Sequence, residues 1–150
     1  MVAPAVQTEF NERMGQFSPD GKWIAYQSDK TGRFEIYVRP FPGPGDDMPV
    51  SSEGGTQVHW SPRGTELFYL GLDDRLMAVP VRVSSNATTF EAGAPVWLSG
   101  TNMGGTDPNT NSRKYTVTPD GQSFVLNSVP GEANASPITV IMNWKPKDSR

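Results

Sequence analysis

The chain has one histidine, His59, so any Ser-His-Asp triad or imidazole metal site has to be built on it. It stands in "VHWSP" beside Trp60 and Ser61, in a run with strand character. A packed or hydrogen-bonded side chain is the expected role there, and a catalytic base is the weaker alternative. No Gly-x-Ser-x-Gly elbow accompanies it. Asp20 and Asp120 fall in turn tetrapeptides, where a carboxylate bonds nearby backbone N–H groups. The pairs Asp46–Asp47 and Asp73–Asp74 lack the further spaced oxygens of a calcium loop, so no metal site is expected. "GPG" (43–45) and "GGT" (104–106) lack both the strand-to-helix setting and the Lys-Ser/Thr ending of a phosphate loop. Two segments, Asn86-Ala87-Thr88 and Asn134-Ala135-Ser136, fit the glycosylation sequon.

Basic and amide groups offer a different chemistry. Arg13, Met14, Gln57, Arg113 and Lys114 stand at the beginnings of three similar strands. If those strands line an axis, their starts crowd one mouth of a channel, and cations gathered there suit a small anion or an acidic peptide end. The plain alternative is that these charges solvate a rim.

The elements that must position them repeat. "FSPDGKWIAY" (17–26), "WSPRGTELFY" (60–69) and "VTPDGQSFVL" (117–126) align column by column. Pro sets the turn's φ, Asp or Ser bonds the backbone, and Gly takes the positive φ that closes the corner. Pro19 and Pro62 lie 43 residues apart, and Pro62 and Pro119 lie 57 apart, so the second unit carries an insertion. Each corner precedes a β-rich run (22–28, 65–71, 122–128) and then a third run (34–41, 75–83, 138–144). Short fourth strands are expected near 48–51 and 95–99, with none in the third unit. A period of about 40–45 residues belongs to four-stranded propeller blades.

The expected fold is therefore an all-β propeller of three four-stranded blades, in units of about 14–51, 57–99 and 113–144. Propellers typically need about 4–8 blades to close. The simplest completion is a homodimer forming a six-bladed ring, with residues 5–10 of one copy as an outer strand of the other; the alternative is that the chain is the C-terminal half of a longer propeller. Segment 99–113 is polar and long for a connection, and it is expected at the channel mouth; 145–150 reads as a frayed tail.

Composition bounds the rest. The length, 150 residues, suits one domain; apolar residues make up only 35%, while 15 Gly and 14 Pro imply many short elements. A net charge of -3 gives no field to collect nucleic acid or anionic lipid. There is no Cys, no run long enough to span a bilayer, and no signal-peptide layout at "MVAPAVQTEF". The compartment stays open.

The corner followed by an aromatic-rich strand resembles TolB-like six-bladed propeller repeats. "GGTQVHWSPRGTELFYL" (54–70), "LMAVPV" (76–81), "FEAGAPVWL" (90–98), "YTVTPDGQSFVLN" (115–127) and "PITVIMNW" (137–144) resemble the last blades of propellers fused to bacterial serine/threonine kinases. The chain departs from that family in three ways: half the blades are absent, there is no kinase segment, and Arg63 replaces the Asp of the second corner. The resemblance implies a non-catalytic sensory or scaffolding module, in a parent domain outside the cytoplasm, that binds protein or a small anion without a cofactor. The alternative is a small esterase or lactonase, similar to six-bladed enzymes that hold calcium in the central channel. Gln16, Gln57, His59 and Asn111 would be its channel-facing groups.

Overall fold

A computed structural model describes residues 4–84, 86, 88–101, 103, 106–127 and 138–141. The expectations for the second sequon, for 145–150, for the end of the last run (142–144) and for the first two residues of "GGT" lie outside that set. The described chain is all-β with antiparallel pairing and no helix. The first sheet orders β1 (Glu12–Phe17), β2 (Trp23–Ser28), β3 (Glu35–Pro40) and β4 (Met48–Pro49) as a meander. The second holds β5 (Thr56–Trp60), β6 (Glu66–Leu70) and the nine-residue β7 (Arg75–Val83). Its outer position is shared: β8 (Phe90–Ala92) pairs the end of β7 and β9 (Val96–Gly100) pairs its start. The third sheet is β10 (Tyr115–Val117), β11 (Phe124–Asn127) and β12 (Ile138–Ile141).

The corners form as their residue types dictate. Gly21, Gly64 and Gly121 take φ of 70°, 69° and 72°, and each N–H donates to the carbonyl three residues back. Ser18 Oγ accepts from Trp23 N (3.0 Å) and donates to Asp20 Oδ1, which also accepts from Lys22 N. Thr118, Asp120 and Gln122 repeat the arrangement. At the second corner, where Arg63 offers no acceptor, Ser61 Oγ accepts from Thr65 N and Glu66 N instead.

Alternation along the strands then stacks the sheets face to face. Trp23, Ala25, Ile36 and Val38 of the first sheet meet Leu67, Tyr69, Val79 and Val81 of the second. The opposite face of the second, with Phe68, Leu70, Leu76 and Ala78, meets Tyr115, Phe124 and Leu126 of the third. Phe68 and Phe124 pack edge to face with centroids 4.8 Å apart. Ala25, Phe68 and Val125 occupy one repeat column, always on the face turned toward the following sheet. For the third sheet that face is open: Thr116 is exposed and Val140 is 50% exposed.

The other end of the stack is covered by the chain itself. On the first sheet's outer face Tyr26 and Tyr37 are buried under an ionic cluster in which Asp47 pairs Lys30 (2.7 Å) and Arg39 (3.5 Å), with Lys30 Nζ 3.8 Å from the Tyr37 ring. Ala5 and Val6 border a cavity with Ile24 and Tyr26. Residues 5–10, expected as an outer strand, carry no strand in the single chain and are largely exposed.

Candidate functional site

The first strands of the first two sheets share a defect that decides where their side chains go. β1 shifts register between Arg13 and Gln16, and β5 between Thr56 and His59. At the same repeat position in each, Met14 and Gln57 take φ of 54°, the left-handed conformation of a bulge residue. The bulge frees Gln57 N from the ladder, and it donates to Gln27 Oε1 (2.9 Å). Gln57 Oε1 in turn accepts from Lys114 N (2.7 Å), so two amides link the first sheet to the second and the second to the third. Gln57 is thereby a buried connector, 2% exposed, rather than a group on an open rim.

Arg113 has a different environment. Its Nη1 lies 3.2 Å from His59 Nε2, and with the Gln16 amide turned to present its oxygen, Nη1 and Nη2 lie 3.0 and 3.2 Å from Gln16 Oε1. Gln16 and His59 stand on the first strands of the first two sheets, and Arg113 stands just before the first strand of the third. Arg113 as a residue is exposed. His59 is 8% exposed, and the Tyr115 ring stands edge-on to it at 4.7 Å. Burial first and the Arg113 charge second hold its pKa down to about 4, against a hydrogen bond with the Tyr115 backbone that acts the other way. The ring is neutral at pH 7 and accepts from Arg113 through Nε2.

The two remaining candidate cations are engaged by segment 99–113. Arg13 Nη1 donates to Asn109 O (2.6 Å) and Lys114 Nζ to Met103 O (3.2 Å), while Gln27 Nε2 donates to Pro108 O (3.2 Å). Thr101 and Thr106 anchor the same segment through the Asp74 backbone and carboxylate. The segment therefore touches all three sheets, at Arg13 and Gln27, at Asp74, and beside Lys114. Sequence reasoning missed Gln27 altogether; a single Gln inside an apolar strand carries no signal of the amide it will meet. Asn111 is exposed.

The corner carboxylates remain structural. Asp20 and Asp120 are held below the usual carboxylate range chiefly by the Ser18 and Thr118 hydroxyls, then by backbone N–H groups. Among the described residues no three His, Asp or Glu side chains come together as metal ligands, and no helix is long and apolar enough to cross a membrane.

Neither a family model nor a curated protein matches this chain. Among solved structures it is similar to a candidate 6-phosphogluconolactonase from Bacteroides uniformis, with a TM-score of 0.54 and 16% identity over 94% of this chain. The chain spans 39% of that protein's length, and likeness at this identity concerns the fold alone.

Proposed function

We propose that the chain is three blades of a β-propeller acting as a binding module, whose inner edges hold a small carboxylate or phosphate through Arg113. The observation that carries this is the Arg113 guanidinium held by Gln16 and His59 on a residue that is itself exposed. Two neutral acceptors fix the fork in place without neutralising it, so its charge stays available for an incoming oxyanion. Non-covalent binding is favoured over catalysis because a histidine with a pKa of about 4 is a poor base near neutral pH, where proton transfer works best with a pKa near 7. Support for the ring geometry comes from the corner repeat and from three sheets stacked through equivalent columns. Closure by a second copy would cover the open face of Thr116, Val125 and Val140, and would need residues 4–10 to leave the first sheet's flank. In a longer parent of the TolB-like, kinase-fused type, the module would be the sensory or interaction part.

Calorimetric titration with inorganic phosphate and with succinate tests the binding site. Saturable binding is expected, weakened about tenfold or more, roughly 1.4 kcal/mol, by Arg113→Gln. Absence of binding, or equal binding by the variant, would refute it. Sedimentation tests closure: a monomer with a cooperative melt rules out pairing.

The lactonase reading is favoured by the solved structure to which the chain is similar. In it Arg113 would stabilise the developing oxyanion of a lactone carbonyl. Glucono-δ-lactone and its 6-phosphate, assayed with and without EDTA, test it. Turnover abolished in His59→Ala would replace binding with hydrolysis.

A further inference from the structure

Arg63 is the residue by which the second corner departs from the other two, and it stands at a cavity no part of the Arg113 cluster uses. Between the first and second corners the sheets border a half-open cleft of about 530 Å³, within the range of small-ligand pockets. Trp23, Trp60, Val81 and Val83 supply its apolar walls, and Arg63 is exposed at its edge, whereas Arg82, between the two valines on β7, projects from the opposite face. Among the described residues neither arginine makes an ion pair. The one carboxylate in the wall, Asp20, is already engaged by Ser18 Oγ and Lys22 N. Trp60 Nε1 donates to Gln16 O, but Trp23 Nε1 is buried with no hydrogen-bond partner.

We propose that this cavity is a second ligand site, for a small aromatic carboxylate. The flat ring would lie among the indoles and valines, where stacking and apolar burial are available. The carboxylate would face Arg63, whose guanidinium fork matches its two oxygens. An uncharged analogue of the same shape keeps the ring contacts and loses the ionic ones.

The probe is phenylacetate, with phenylacetamide as its uncharged counterpart, followed through the indole N–H resonances by NMR. Trp97, which does not line the cavity, is the internal reference. Phenylacetate is expected to shift the Trp23 and Trp60 signals saturably and leave Trp97 unmoved. Phenylacetamide should bind at least about tenfold more weakly. Arg63→Asp restores the residue type of the other corners, so the turn is kept while the affinity for phenylacetate falls about tenfold or more. Arg82→Gln, on the opposite face of its strand, should leave the affinity unchanged. The site is refuted if phenylacetate leaves Trp23 and Trp60 unshifted at millimolar concentration, if the amide binds equally well, or if Arg63→Asp binds like the parent chain.

Discussion

Mild acidification, from about pH 7.5 to about pH 5, should weaken this fold mainly through one side chain. His59 is held near a pKa of about 4 in the folded chain against an ordinary value of 6.5, so between those two values the unfolded chain binds the extra proton. The sign follows: stability contributed by the neutral ring is present above 6.5 and is lost as pH falls toward 4. Linkage puts the full loss at about 3 kcal/mol, and the share lost between about pH 7.5 and pH 5 at about 2 kcal/mol. That is a large part of the ~5–15 kcal/mol typical of a domain. Urea unfolding at the two pH values measures it, and the chain's single histidine gives one imidazole resonance whose titration reports the folded pKa directly. In His59→Gln the difference between the two pH values should shrink by about 2 kcal/mol. Glu66, raised by burial, and the depressed Asp20, Asp29, Asp47 and Asp120 titrate in both proteins and so cancel in the comparison. A resonance titrating near 6.5, or an unchanged pH dependence in the variant, would refute the account.

Phe68→Ala, at the junction of the second and third sheets, should cost about 3–5 kcal/mol in urea unfolding, because the cavity it leaves is walled by Phe124 and Leu126. Gln57→Ala removes the acceptor of Lys114 N and should cost about 1–3 kcal/mol by the same assay, with the loss of protection at that amide visible in hydrogen exchange. Arg113→Gln should raise the His59 pKa only part of the way to its ordinary value, because burial outranks the arginine charge as its cause; full restoration to 6.5 would show that ordering to be wrong. Ser18→Ala strips both the Trp23 N–H and Asp20 of a partner and should destabilise by about 1 kcal/mol, with a smaller loss on acidification than the parent chain shows.

The corners and the strands behind them were legible because their causes are local. A Pro-Asp-Gly string states its own turn, and the run after it states its own period of two, so β2, β6, β7 and β11 lie close to where the sequence puts them. β8 was not legible as a separate strand. Only the nine-residue length of β7 allows two short partners to share its outer edge. The bulges at Met14 and Gln57 were hidden for a different reason: neither residue type favours φ of 54°, so the packing of the sheets selects that conformation.

What the sequence determined alone was the repeated unit, its all-β character, and the set of cations near the inner strand starts. Which cation could meet a ligand was decided by the tertiary structure. Arg13 and Lys114 are held by carbonyls of segment 99–113, the former by a residue 96 positions away, while Arg113 rests on Gln16 and His59 and is exposed as a residue. The reason is physical: a guanidinium or an ammonium looks the same in any sequence, and only the acceptors that folding brings beside it decide whether its charge is already in use.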